Sequence, residues 1–323
     1  MNHKFLMSPG YITGLAQTDG SFFCSIILSN RHLFGIQFRP KFSITADLNS
    51  LLVLEEIKIY FGCGYIFINK KNHSAEYVVS RLTDLMNIII PHFNVHPVFC
   101  AKLHAFNLFS KIVLSLFNKN RSLESRKELL IWALSMNETT NRTQERIELL
   151  FSKLKIVNNN EKSLIPYLFS LIEILITDNT LAGIIDGDGS FYISFQKNGK
   201  ITTGFSITTD NFSRPLLEAI QIKLKGIGSI RTGSKNELVL TVTGLDQINE
   251  VLIPFMDKNP LLSERASHYT KFKNVTLILK NNQPVSLEDK LKIVELYYNM
   301  NKDGKRRLLT KIEYINQLYS NEI

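Results

Sequence analysis

Cysteine is scarce in this chain of 323 residues, and the three present, Cys24, Cys63 and Cys100, are widely separated. That excludes a disulfide framework and any CxxC zinc site, and leaves reduced, buried thiols as the default. Long apolar runs are also missing: none reaches the ~18 residues that a membrane span takes, so no membrane partner is expected. The first patterned stretch starts so near Met1 that a cleavable targeting peptide is not expected either. Acidic residues are outnumbered, 29 against 38 Lys and Arg, for a net charge of +9. An excess of that sign points to a polyanionic partner, because Lys and Arg that bind phosphate release counterions. Charge alone does not separate DNA from RNA or an acidic membrane surface.

What is present is a repeat. Residues 12 to 22 read ITGLAQTDGSF and residues 181 to 191 read LAGIIDGDGSF, each a short helical pattern closing on Asp-Gly-Ser-Phe. Gly14 and Thr18 in the first stretch, like Gly183 and Gly187 in the second, are four residues apart and share one helix face. Small residues there let two helix backbones approach closely, so the two helices are expected to pack together as a pseudo-two-fold pair. Gly20 and Gly189 are expected to end them as residues just past the last turn. Asp19 and Asp188 then sit at adjacent helix C-termini, where each carboxylate opposes the helix dipole by ~0.3 to 1 kcal/mol. A hard divalent cation would relieve both that strain and their mutual repulsion, and Mg²⁺ is suited to one or two carboxylates completed by phosphate oxygens and water. Asp-Gly alone is only a turn signal. Two copies inside a matching repeat carry the chemical reading.

The repeat extends well beyond these stretches. Phe-Ser-Ile-Thr occurs at 42 to 45 and at 205 to 208, an offset of 163, and Pro91 and Pro97 answer Pro254 and Pro260 at the same offset. Gly62-Cys63-Gly64 answers Gly226-Ile227-Gly228, and Met136-Asn137 answers Met300-Asn301, both at 164. The two acids are 169 apart, so the first hairpin of the amino-terminal half is about six residues the longer.

Periodicity supplies the elements. Ser8-Pro9 reads as an N-cap followed by Pro at the first helical position. After Gly20, Phe22, Cys24, Ile26 and Leu28 alternate with residues that include Ser25 and Arg31, and Gln37, Arg39, Lys41 and Ser43 alternate with Ile36, Phe38 and Phe42. A helix is expected over 48–61, strands over 65–69 and 76–81, and helices over 83–92 and 98–116. The same order returns after Thr180. The fold class is therefore α+β: two pseudo-symmetric αββαββα halves with antiparallel saddle-shaped sheets, packed through the two motif helices. The halves are expected at 1–120 and 178–323. Between them, 121–177 forms a helical tail and linker, with helices over 123–136, 145–156 and 165–176 and a polar loop over 158–162.

The motif residues and the internal duplication resemble the LAGLIDADG homing endonuclease family in its single-chain, two-motif form. The second stretch follows that pattern at most positions. The first departs from it at Ala16, Gln17 and Thr18, where the pattern prefers a larger apolar residue, an acid, and Ala or Gly. The resemblance implies a monomeric, divalent-metal-dependent endonuclease that hydrolyses both strands of a double-stranded DNA target. It implies metal ions, Mg²⁺ or another divalent cation such as Mn²⁺ or Ca²⁺, held at Asp19 and Asp188 beside Gly20 and Gly189. Basic residues that assist the reaction are placed at Lys102 and, by the 163 offset, at Arg265. Asp186 faces Gln17 across the repeat and reads as structural, and His92, His96 and His104 read as surface or core residues, not ligands.

Two-stranded ribbons fit the major groove, where base edges are distinguishable. The candidate contacts on the open faces are Arg31, Gln37, Arg39, Lys41, Tyr65, Asn69 and Glu76 in the first half, and Gln196, Lys200, Thr202, Arg231 and Thr241 in the second. Because paired positions differ, Gln37 against Lys200 and Phe67 against Arg231, the expected target is long and asymmetric. The competing reading is a maturase of the same fold that binds its own intron RNA, with or without DNA cleavage. The richness in Ile, Asn, Lys and Phe fits an AT-rich organellar genome, mitochondrial in preference to chloroplast.

Overall fold

The computed structural model describes residues 7–136, 143–157, 175–300 and 308–320. The chain divides into two compact units, Met1–Glu173 and Ile174–Ile323. The loop expected over 158–162, and nearly all of the helix expected over 165–176, lie outside the described residues.

In the first unit α1 (Pro9–Thr18) starts where the Ser8 hydroxyl accepts the Tyr11 amide at 3.2 Å, with Pro9 in its first turn. The chain runs directly into β1 (Gly20–Leu28), which pairs antiparallel with β2 (Ile36–Asp47). A 3₁₀ turn at Leu48–Ser50 leads into α2 (Leu51–Phe61), closed by Gly62 in the left-handed conformation at φ 64°. Then come β3 (Tyr65–Asn69) and β4 (Ser74–Val79), the latter two residues earlier than its alternation suggested. The sheet order is β1-β2-β4-β3.

Next, α3 (Leu82–Asp84), a π turn over Leu85–Ile89 and α4 (Ile90–Val95) run without a break. Pro91 has no N–H for the carbonyl four residues back, and the widened turn falls directly before it. The long helix α5 (Cys100–Phe117) lies across the sheet and buries Ala105, Phe106, Leu108, Phe109, Ile112 and Val113. By length and composition α5 could cross a membrane, which corrects the expectation that no such run exists. Its role here is that of a core helix: Phe106 and Phe109 pack on Phe22, and Phe106 also meets Phe93. Helices α6 (Leu123–Ser135) and α7 (Gln144–Lys153) follow, capped by Ser122 and Thr143.

The second unit repeats this order. It runs α8 (Asp178–Asp188), β5 (Gly189–Phe195), β6 (Ile201–Thr209), α9 (Arg214–Lys223), β7 (Ser229–Thr232) and β8 (Leu238–Val242). There follow α10 (Leu245–Gln247), a second π turn over Ile248–Leu252, α11 (Ile253–Lys258) with Pro254, and α12 (Arg265–Asn281). Helices α13 (Leu287–Tyr297) and α14 (Lys311–Ser320) close it. Its sheet order, β5-β6-β8-β7, matches the first, and the α+β class holds in both units.

The register bears out the offsets. Gly20 pairs with Ile44 and Gly189 with Ile207, so acids 169 apart enter sheets whose second strands are 163 apart. One face of each sheet is core, carrying Phe22, Phe42, Ile44 and Tyr77 in the first unit and Phe191, Phe205, Ile207 and Leu240 in the second. The opposite face is open and mixes polar side chains with apolar ones, Tyr65 and Phe67 among those exposed, because side chains alternate across the pleat.

Candidate active site and nucleic-acid interface

Each acid is the point at which a buried helix turns into a strand. Tyr11 through Gln17 are all buried in α1, as are Thr180 through Gly187 in α8, whereas Asp19 and Asp188 are exposed. The Asp19 amide still donates to Leu15 O at 2.9 Å, and its carbonyl already accepts from Thr45 N at 3.2 Å in the sheet. No loop separates helix from sheet. Each glycine stands just past its helix, as expected, and this direct handover, not a left-handed backbone, gives the reason for it. Gly189 has φ −64° and ψ 136°, an ordinary extended conformation. A Cβ on Gly20 would lie 2.3 Å from Ala16 O, and one on Gly189 would lie 2.5 Å from Ile185 O. These positions need glycine because the strand starts against the last turn of its own helix.

The basic residues placed by offset come to this junction. Lys102, in the first turn of α5, donates from Nζ to Gly20 O at 2.5 Å. Arg265, first residue of α12, donates from Nε to Asp186 O at 2.7 Å and from its two terminal nitrogens to the Gly189 and Gly187 carbonyls. The glycine carbonyls named beside the acids therefore already accept one cationic donor each. The helix dipole that disfavours Asp188 is offset by a guanidinium at the same end.

A second clasp holds the start of each long helix, and it lies two residues before the acid. Gln17 accepts from Phe99 N at 2.7 Å and donates from Nε2 to Phe99 O at 3.4 Å. Asp186, buried, accepts from Leu262 N at 3.2 Å, Ser263 N at 3.0 Å and the Ser263 hydroxyl at 2.5 Å. Asp186 is thus committed inside the fold, as its structural reading requires. Gln17, the departure from the motif, performs the corresponding task. Cys100, directly after the clasped Phe99, has φ 50°, a left-handed conformation that costs a non-glycine residue about 1 to 2 kcal/mol and persists only where its surroundings impose it.

His92 is a core residue. Its Nδ1 faces the Tyr60 hydroxyl at 3.2 Å and its Nε2 the Thr13 hydroxyl at 3.5 Å. Burial, and secondarily the neighbouring His96, pull its pKa down to about 4. Among the described residues no group of three or more His, Cys, Asp or Glu is gathered for a metal.

On the open face of the first sheet the pairing aligns Ile27 with Gln37, Ser25 with Arg39 and Phe23 with Lys41. Further along it aligns Tyr65 with Val78, Phe67 with Glu76, and Asn69 with Ser74. Lys41 Nζ lies 2.8 Å from Glu76 Oε1, so those two candidates form an ion pair. In the second sheet Thr202 pairs with Ser194, Thr241 bridges Ser206 and Ser229, and Arg231 faces Val239. Three candidates fall elsewhere. β1 stops at Leu28, so Arg31 lies in the turn closed by Ser29 N on Gly35 O. Gln196 and Lys200 flank the other hairpin tip, where Gln196 N donates to Lys200 O at 2.9 Å. Alternation of polar and apolar residues continued past the last strand hydrogen bonds and put all three on the ribbon faces.

Sequence reasoning passed over Tyr192 on the same open face, opposite Gly204. The signal was a glycine in mid-strand, a mark of close approach by another group.

Two buried helices that each end on an exposed acid, hand over at once to an antiparallel sheet and carry a cation on the junction define a duplicated, acid-bearing α+β scaffold. The LAGLIDADG endonuclease profile matches residues 12–113 and 181–276, and the chain belongs to that family. A probable intron-encoded endonuclease 2 of Neurospora crassa is 30% identical over 296 residues, 90% of this chain and 64% of that protein. This chain thus spans less than two thirds of that relative. Homing endonuclease I-ApeII of Aeropyrum pernix is 32% identical over 152 residues, 46% of this chain and 89% of its own. Among solved structures, I-SmaMI bound to an uncleaved DNA target in the presence of calcium ions superposes with a TM-score of 0.82 at 24% identity. That match covers 91% of this chain and 99% of that one. I-LtrWI bound to target DNA gives 0.81 at 25% identity, covering 91% and 97%.

Proposed function

We propose that this protein is a monomeric, site-specific homing endonuclease that makes a double-strand break in a long, asymmetric DNA target by metal-assisted phosphodiester hydrolysis. The observation that carries it is the repeated junction: one exposed carboxylate per half, held at the mouth of an open polar sheet face, with a cation fixed on the next carbonyl. The matched proteins bear the names of endonucleases, and the two solved structures cited hold DNA.

The donor set fits a hard divalent ion. Asp19 and Asp188 offer carboxylate oxygens that would hold the ion, which phosphate oxygens and water would complete, the habit of Mg²⁺ and open equally to Mn²⁺ or Ca²⁺. Such an ion supplies a water of lowered pKa and neutralises charge on the scissile phosphate. The chain's own residues set the geometry. Gln17 and Asp186 fix the start of α5 and α12, and these present Lys102 and Arg265 beside the acids as fixed positive charge for the phosphates. Pairing of α1 with α8 through Gly14, Thr18, Gly183 and Gly187 is the part of this proposal that brings the two acids together. The open faces bind the duplex, with Gln37, Arg39, Lys41, Tyr65, Asn69 and Glu76 on one side and Thr202, Arg231 and Thr241 on the other. The hairpin-tip residues Arg31, Gln196 and Lys200 reach the phosphates flanking them.

Several relatives are fungal and named for introns, including one in ND4 intron 1 of Podospora anserina and Cox1-I1b of Schizosaccharomyces pombe. Fungi have no chloroplasts, which favours encoding in a mitochondrial intron. The maturase reading is the weaker one, because binding of intron RNA gives no use to two exposed acids at matched positions.

Incubation with Mg²⁺ and a randomised duplex library should yield a specific double-strand break. Asp19→Asn or Asp188→Asn should each reduce cleavage on the order of 10³-fold while leaving binding intact. Uncut DNA beside tight, specific binding of intron RNA would overturn the proposal.

A further inference from the structure

The two sheets differ where their first two strands cross-pair near the acids. In the first sheet Phe23 stands opposite Lys41, which is tied to Glu76. At the matching place in the second sheet Tyr192 stands opposite Gly204. A Cβ on Gly204 would fall 2.3 Å from both Cζ and the hydroxyl oxygen of Tyr192, so the tip of the ring rests on the bare backbone of the neighbouring strand. The phenol lies down across the open face at the place where Lys41 reaches over to Glu76 in the other half. Its surroundings on that face are Ser190, Ser194, Thr202 and Ser206, all neutral hydroxyls. Tyr192 is partly exposed, and burial of the rest of its ring raises the phenol pKa, which keeps the hydroxyl a donor at neutral pH. It lies three residues, about 10 Å, along β5 from Gly189, within reach of base pairs close to the junction.

We propose that Tyr192 is a specificity-determining residue that reads a T·A base pair in the half-site bound by the second sheet. Its ring covers the thymine C5-methyl and its hydroxyl donates to thymine O4. Those two features adjoin in the major groove only on thymine, and apolar side chains are the usual readers of that methyl. Aromatic cover of a strand glycine also stabilises a sheet without reading anything. The ring would then matter for folding alone, and the experiment separates the two roles. This inference rests on the function proposed above.

The probe is the DNA, so the protein stays wild type. In a duplex selected for tight binding, each thymine of that half-site is replaced singly by deoxyuridine, which lacks only the methyl, and the equilibrium Kd is measured. One position should bind about fourfold more weakly. That penalty should persist in Tyr192→Phe and vanish in Tyr192→Ser. Equal affinity for thymine and uracil throughout the half-site, or the same penalty in Tyr192→Ser, overturns the inference and leaves the endonuclease reading standing. Failure to select any duplex sinks that reading itself.

Discussion

The two halves put a cation on the same carbonyl and a clasp at the same distance from the acid, yet they use different chemistry for both. Gln17 carries both a donating NH2 and an accepting oxygen and takes both the N–H and the C=O of Phe99. Asp186 only accepts, and it finds three donors at Leu262 and Ser263. Either side chain suits the task, because the requirement is to hold the first turn of the long helix. The degenerate look of the first motif is therefore an exchange of one clasp for another at a fixed place. What both halves keep is what the junction's sterics and charge demand, an acid followed by glycine.

The largest expected asymmetry is in acid stability. His92 is answered by Phe255 at the 163 offset, so a buried imidazole exists at this position in the first half only. With the folded pKa near 4 and an ordinary value of 6.5, the unfolded chain takes up a proton that the folded chain refuses between those pH values. Stability from this site is complete above about pH 6.5 and declines as pH falls toward 4, by about 3 kcal/mol in all. Trp132, the sole tryptophan, lies in α6 and reports on the first half. Urea unfolding followed by its fluorescence should show the loss, and His92→Phe, which installs the second half's residue, should flatten it. An unchanged acid limb in that variant would mean that His92 is protonated or solvated in the folded protein.

The junction glycines should behave alike. Gly20→Ala and Gly189→Ala each drive a methyl into a backbone carbonyl that cannot rotate away, at a cost near the upper end of the ~1 to 3 kcal/mol usual for overpacking. Denaturant midpoints of the two variants test this directly. A small effect in one half only would show that its strand can peel from its helix, and the junction geometry would then be equivalent in sequence but not in rigidity.

Much of this was legible in the chain. Hydrophobic alternation and the near-constant offset told where the strands lie and which residues of the two halves correspond, since the period-two pattern is a direct consequence of the pleat. The Ser8 cap was readable because an N-cap is a local transaction between a hydroxyl and an amide three residues on. The places where strands stop were not. Arg31, Gln196 and Lys200 continue a polar alternation that says nothing of where the ladder ends. Nor was the reason for Gly20 and Gly189, which lies in an approach between helix and strand that only three dimensions display. The partners of Lys102 and Arg265 were equally hidden, because backbone carbonyls carry no sequence signature.

Those two cations offer the finest test of the comparison. In α8 the carbonyls of Asp186 and Gly187 face a chain that has already left the helix, so they lack intrahelical donors, and Arg265 satisfies both along with Gly189. Lys102 donates to the Gly20 carbonyl of its own half. Arg265→Ala should therefore cost about 2 kcal/mol and Lys102→Ala about 1 kcal/mol, read as shifts in thermal midpoint. Arg265→Lys keeps the charge but loses the planar fork that spans three oxygens, and should recover only part of the loss. If catalysis needs the charge and folding needs the fork, Arg265→Lys retains cleavage while remaining less stable than wild type. Equal losses of stability from both alanine variants would show that the second half gains nothing from the extra carbonyl bonds, and that Arg265 and Lys102 act only through their charge.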